Sequence, residues 1–286
     1  MATCWLNGQI VSKENAVVSV FDHGVLYGDG VFEGIRFYHN RIFRLDAHLK
    51  RLEDSAAALL LDIQYSREEL VSALNEVVSA YEESDGYIRL VVTRGEGKLG
   101  INPFNCKKST VFIIADRLEL IDESKKAAGA KLIVSSVRRI AAVSLEPRIK
   151  SLNYLNNIQA LMEAKHANAD EAIMLNQHGN IAEGSTDNVF VVKDGILKTP
   201  PINDGALQGI TRGVVIEIAH ELAIPCLETS LTPYDIYTAD ECFLTGTGME
   251  LLPVHEMDGR VVKSCPGDMY QKINQAFRAL INRETS

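Results

Sequence analysis

Hydrophobic and polar positions along the chain follow two periods. Apolar residues recur at spacing two, or run on with β-branched side chains, in YIRLVVT (87–93), TVFIIA (110–115), KLIVSSV (131–137) and NVFVVKDG (188–195). Polar or glycine-containing turns bound each run, so these segments predict strands. Between Arg67 and Tyr81 the apolar positions are Leu70, Leu74, Val77, Val78 and Tyr81, the spacing of one helical face. Ser66, with Glu69 three residues on, makes a capping box in front of that helix. Segments 48–61, 153–168, 211–223 and 268–282 share the helical period, the last through Tyr270, Ile273, Phe277, Leu280 and Ile281. The pattern predicts a mixed fold, α/β or α+β. Around 117–129 the sequence RLELIDESKKAAG loses its apolar period and gains charge, which reads as a connection. The expected organisation is a small N-terminal α/β domain over 1–117, an interdomain loop over 118–128 and a larger C-terminal domain over 129–286.

Composition narrows the class. With 46% hydrophobic and 23% charged residues, the 286-residue chain has the balance of an ordinary globular protein. The net charge of -9, with no window that concentrates Lys and Arg, argues against a nucleic-acid partner. The N-terminal stretch lacks the basic start and apolar run of a secretory signal. The longest near-apolar run, AAALLL at 56–61, is far short of the roughly 18 residues a membrane span needs. A cytoplasmic protein is expected. Cys4, Cys106, Cys226, Cys242 and Cys265 form no CxxC pair, and the seven histidines form no HExxH or HxH pair. Free thiols and no metal are the expectation.

Candidate chemistry rests on a lysine, a glutamate and two turns. Lys150 sits in EPRIKSLNYLNN, where a lysine is ordinarily solvated. One that forms a Schiff base needs partial burial so that its amine is nucleophilic, and Ile149 and Leu152 would allow it. Glu183 opens EGSTDNVF, a polar turn ahead of a strand, where a plain turn residue is the alternative. A carboxylate beside the pyridine nitrogen of pyridoxal phosphate would keep that nitrogen protonated. In LQGITRGVVIEIA (207–219), Gly209 precedes Ile210 and Thr211 at a helix start, where unpaired backbone N–H groups suit an anion. In TGTGMELLP (245–253), Gly246 and Gly248 flank Thr247 and permit close backbone approach to a phosphate or carboxylate.

Taken in order, YGDGVFEGIRFY (27–38), FRLDAHLKRLEDSA (43–56), YIRLVVTRG (87–95), IKSLNYL (149–155), EGSTDNVF (183–190), GITRG (209–213) and ECFLTGTGMELLPV (241–254) resemble the class IV aminotransferases over nearly the whole chain. The resemblance implies a two-lobed fold-type IV enzyme with pyridoxal 5'-phosphate between the lobes, the larger C-terminal domain binding it, and a homodimer or higher homo-oligomer whose neighbour completes each site. Lys150 would be the Schiff-base lysine, both tether and proton-transfer base. The residue matching Glu183 would pair with the pyridine nitrogen, and Tyr154 would hydrogen-bond the phenolic oxygen. Arg51, Ile210, Thr211 and Thr247 would hold the phosphate, although an exposed arginine on a helix face is the plain alternative for Arg51.

Within the family the pattern is most similar to the branched-chain amino-acid aminotransferases of amino-acid biosynthesis. Tyr87 and Arg89, two apart on one strand and so on one face, match their substrate site. Tyr27 and Phe32 would wall the side-chain pocket, unless they are plain core, and Thr247 and Gly248 would offer donors to the α-carboxylate. Leucine, isoleucine and valine would be donors and 2-oxoglutarate the acceptor. Two features differ from the common branched-chain pattern: Gly246-Thr247-Gly248-Met249 stands where Gly-Thr-Ala-Ala is usual, and IKSLNY is the shorter form shared with D-amino-acid and (R)-amine transaminases. After the TRG turn, however, Gly95, Glu96, Gly97 and Lys98 lack the Arg-x-His pair of D-amino-acid enzymes. The alternatives are a D-amino-acid or (R)-amine transaminase, an aminodeoxychorismate lyase of the same fold, and a non-catalytic binding protein.

Overall fold

The computed structural model describes residues 2–118 and 123–286, leaving aside the side chains of 123–125. Among them, residues 2–118 with Ile149–Asn153 and Ile281–Ser286 form one unit, and 123–148 with Tyr154–Leu280 form a second.

In the first unit the strands are β1 (Thr3–Leu6), β2 (Gln9–Val11), β3 (Gly30–Tyr38), β4 (Arg41–Ile42), β5 (Gly86–Thr93) and β6 (Thr110–Asp116), with helices α1 (His23–Tyr27), α2 (Leu45–Ala58) and α3 (Arg67–Ala80). They make an antiparallel sheet in the order β2-β1-β6-β5-β3-β4. Strand alternation sends Val31, Ile35 and Phe37 of β3, Ile88, Leu90 and Val92 of β5, and Val111, Ile113 and Ala115 of β6 into one core with the apolar stripes of α2 and α3. The Ser66–Glu69 capping box starts α3 as expected: the Ser66 hydroxyl accepts from Glu69 N at 3.2 Å, and Glu69 Oε2 accepts from Ser66 N at 2.7 Å. On the other face of the sheet, Gly34 lies opposite Arg89 and Phe32 opposite Val91.

The second unit contains β7 (Ala130–Val134), β8 (Glu171–Leu175), β9 (Ile181–Gly184), β10 (Asn188–Lys193), β11 (Ile196–Thr199), β12 (Cys226–Glu228), β13 (Glu241–Gly246), β14 (Glu250–Met257) and β15 (Arg260–Val261). They run in the order β12-β11-β10-β13-β14-β7-β8-β9, with β15 on β14. Its helices are α4 (Glu123–Ala128), α5 (Leu155–His166), α6 (Ile210–Glu221), α7 (Pro233–Tyr237) and most of α8 (Asp268–Thr285).

Several expectations change on the structure. The run at 131–137 ends as a strand at Val134, because Glu163 of α5 accepts hydrogen bonds from Ser135 Oγ and from Ser136 N and draws the chain out of the ladder. The run at 188–195 ends at Lys193, where Asp194 and Gly195 turn at positive φ into β11. The segment expected as a loop over 118–128 contains α4, while 119–122 lie outside the described residues. Lys150, expected in the C-terminal domain, belongs with the first unit: Ile149 packs on that unit's core. Nearly every residue of β3 is buried, on both faces.

Candidate active site

Lys150 is presented by a short extended segment laid along the edge of β3. Phe32 N donates to Lys150 O at 3.0 Å, Leu152 N donates to Gly30 O at 2.9 Å, and Lys150 N donates to Ser55 Oγ of α2 at 3.1 Å. The backbone of the lysine is thus fixed at three points while its side chain reaches the aromatic ring of Phe32, with Nζ 4.6 Å from the ring centroid. The Arg89 guanidinium lies 4.5 Å from the centroid of the same ring, and its Nη2 donates to Tyr87 Oη at 3.1 Å. Gly34 makes this arrangement possible. A Cβ there would stand 1.9 Å from Tyr87 Oη, so only glycine lets the phenol cross onto β3. Lys150, Phe32, Tyr87 and Arg89 are therefore brought together. Tyr27 has another neighbourhood: its Oη accepts from Gly100 N at 2.8 Å, and its ring meets His23 edge-on.

Arg51 is not an exposed helix residue. It lies on the face of α2 that covers β3 and is nearly buried, with Nε donating to Glu33 Oε1 and Nη2 to Glu33 Oε2, both at 2.7 Å. His48 Nδ1 donates to Glu33 Oε2 at 2.7 Å. Glu33 is wholly buried, which by itself would raise its pKa; the Arg51 charge and the hydrogen bonds from Arg51 and His48 outweigh burial and bring it down to about 2. Burial holds the His48 imidazole below its usual range, against the pull of Glu33. The fork orients Arg51 as a fixed cation. Glu33 and His48 went unnoticed in the sequence, yet a signal existed: Glu33 alternates in phase with Val31 and Ile35, so its carboxylate had to face the helices and find a cation there.

In the second unit Glu183 closes β9. It is buried, with Oε1 3.0 Å from Arg139 Nε and Oε2 accepting from Leu207 N at 2.9 Å. Arg139 also donates to Gly205 O and Asn157 Oδ1. Close by, Asp187 is buried against Glu171. Burial, and then the Glu171 carboxylate, raise its pKa well above the usual carboxylate value. Tyr154 is the residue before α5. Gly209 is the N-cap of α6 and offers no side-chain cap, so the N–H groups of its first turn stay available to an anion, and Thr211 is buried beside them. Glycine is required there as well, since a Cβ would come within 2.0 Å of Asn188 Oδ1. Thr247 and Gly248 lie in the hairpin loop between β13 and β14. Ser185 Oγ and Thr245 Oγ1 are buried without a hydrogen-bond partner among the described residues.

These features fit pyridoxal phosphate: an uncapped helix start for its phosphate, a buried carboxylate already in an ion pair for its ring nitrogen, and orphaned hydroxyls nearby. Comparison with known proteins agrees. Residues 30–257 match the model of the amino-transferase class IV family. The chain is 48% identical over 276 residues to a putative branched-chain-amino-acid aminotransferase of Methanocaldococcus jannaschii, covering 96% of this chain and 94% of that protein. It superposes on the branched-chain aminotransferase of the archaeon Thermoproteus uzoniensis with norvaline at a TM-score of 0.92 and 40% identity, covering 99% of this chain and 95% of that one. A T.th. branched-chain amino acid aminotransferase with pyridoxamine 5'-phosphate superposes at 0.93 and 36% identity, over 99% and 94%. With its ordered motifs, its lysine against Phe32 and its anion-ready helix start, the chain belongs to the class IV aminotransferases.

Proposed function

We propose that the protein is a branched-chain amino-acid aminotransferase that moves the amino group of leucine, isoleucine or valine to 2-oxoglutarate with pyridoxal 5'-phosphate. The observation that carries this reading is the group Lys150, Phe32, Tyr87 and Arg89: an apolar ring suits a branched side chain, and a guanidinium hydrogen-bonded to a phenol suits the second carboxylate of glutamate. When bound, the cofactor supplies an electron sink for the carbanion at the substrate α-carbon.

The roles of the chain's own residues follow. Lys150 would hold the cofactor through Nζ, and the same amine would carry the proton from the substrate α-carbon. Glu183 would pair with the pyridine nitrogen, its carboxylate held by Arg139 and Leu207 N. Tyr154 would donate to the phenolic oxygen. Arg51, Ile210, Thr211 and Thr247 would hold the phosphate, with Arg51 aimed by Glu33. Phe32 would wall the side-chain pocket, and Thr247 and Gly248 would receive the α-carboxylate.

The active assembly is a homodimer or a higher homo-oligomer. An apolar surface supports it: Val17, Val20 and Val25 are exposed on one stretch and Leu99, Ile101 and Phe104 on another, and the Gly100 N to Tyr27 Oη bond joins the two stretches. The place of action is the cytoplasm, where the five free cysteines stay reduced. Among the described residues no helix is long and apolar enough to cross a membrane.

The test adds L-leucine, D-alanine or aminodeoxychorismate separately to the purified holoenzyme and follows the cofactor absorbance. L-leucine should convert the cofactor to its amine form and glutamate should do likewise. Conversion by D-alanine with none by L-leucine would assign the protein to the D-amino-acid branch instead.

A further inference from the structure

The hairpin loop that carries Thr247 and Gly248 closes on a residue whose type does not favour its conformation. Gly246 of β13 pairs with Glu250 of β14, so Thr247, Gly248 and Met249 connect them. Glu250 follows at φ 65°, in the left-handed region that glycine adopts freely and other residues seldom do. Three-residue hairpin loops commonly place a glycine at this closing position. A glutamate held there needs support from outside the hairpin, and its carboxylate is buried.

Arg278 of α8 provides the support. Its Nη1 donates to Glu250 Oε1 at 2.8 Å, and its Nη2 pairs with Oε2, a two-pronged grip with a fixed direction. α8 is fastened to the same hairpin at two more points. Glu241, the first residue of β13, accepts from Met269 N at 2.9 Å and Tyr270 N at 2.8 Å, and Tyr270 Oη donates to Leu251 O at 3.3 Å. From the other side the Asp187 carboxyl packs against Gly246, where an added Cβ would stand 2.5 Å from Oδ1. The loop is therefore gripped at both ends, at Gly246 by contact and at Glu250 by charge.

We infer that Glu250 and Arg278 are positioning residues: their ion pair holds the left-handed closing residue of the 247–249 loop and so sets the direction of the loop's N–H groups toward a bound anion. The inference rests on the proposed role of Thr247 and Gly248 in holding phosphate and α-carboxylate. Glu250 then acts through its backbone conformation, and its charge serves to engage Arg278.

Four variants test this: Arg278→Met, Glu250→Ala, Glu250→Gly and the double variant Glu250→Gly with Arg278→Met. Two quantities are read for each, the KM values for L-leucine and 2-oxoglutarate against kcat, and the affinity of apoprotein for pyridoxal phosphate by fluorescence titration. Arg278→Met and Glu250→Ala should raise both KM values and weaken cofactor affinity by about tenfold, the loss expected when a donor to a charged group is misaimed, with kcat little changed. Glu250→Gly should stay near wild type, because glycine takes the left-handed conformation unaided. The double variant should recover most of what Arg278→Met loses. A double variant as impaired as Arg278→Met, or Glu250→Ala equal to Glu250→Gly, overturns the inference. If Glu250→Gly does not fold, Glu250→Asn takes its place, since asparagine is the other residue that tolerates this region. Failure of the aminotransferase reading shows separately, as a wild-type holoenzyme inert to L-leucine, while the cofactor affinities still rank the variants.

Discussion

Replacing Glu33 with glutamine keeps its shape and removes its charge, which isolates the ion pair that aims Arg51. In the folded protein the carboxyl is drawn from an ordinary value of 4.5 down to about 2. A difference of that size between folded and unfolded states corresponds to about 3 kcal/mol of stability near neutral pH. Breaking a buried pair by removing one partner costs roughly 3–5 kcal/mol, because the other charge stays behind uncompensated, and the two routes agree. Because the folded pKa is lowered, this contribution is complete above the unfolded value of 4.5 and is lost as pH falls toward 2. Urea unfolding at one fixed protein concentration, for wild type and Glu33→Gln, should show a gap of about 3 kcal/mol that stays level from roughly pH 5 to pH 8 and narrows below about 4.5. Affinity for pyridoxal phosphate should fall in the variant as well, since the Arg51 guanidinium loses its charge partner and at least one of the two bonds that orient it. A gap under about 1 kcal/mol, the value of an exposed pair, would refute the reasoning, as would a gap that does not narrow in acid.

Lys150→Ala should leave a folded protein that binds the cofactor only non-covalently and turns over orders of magnitude more slowly; borohydride reduction followed by peptide mass analysis checks it, and label on another lysine would mean that Lys150 is the wrong residue. Glu183→Gln should retain the cofactor but lose much of its rate, because an amide does not stabilise a protonated pyridine nitrogen, and unchanged half-reaction rates would remove Glu183 from the mechanism. Arg89→Ala should slow the glutamate half-reaction by about 10- to 150-fold, the value of a hydrogen bond to a charged group, while leucine changes only a few-fold. Stopped-flow measurement with each donor alone separates the two, and equal losses would end the dual-substrate reading of Arg89.

Much of the architecture was legible without coordinates wherever its cause is local. The Ser66–Glu69 capping box, the apolar face of α3 and the alternation in β5 and β6 depend on residues within a turn or a few positions of one another, so the sequence displays them directly. The ordered motifs also brought Lys150, Phe32, Tyr87 and Arg89 forward together, and the sheet register joins them as alternation on one face requires. What aims the site was not legible. Glu33 finds His48 and Arg51 across a strand-to-helix packing, Arg139 reaches Glu183 from 44 positions earlier in the chain, and Arg278 grips Glu250 from α8. Lys150 likewise joins the first unit because backbone bonds to β3 and the packing of Ile149 draw it there, whatever its neighbours in sequence do. Buried charges take their partners from whichever element packs against them, and that choice is made by register and helix placement, which no local pattern records.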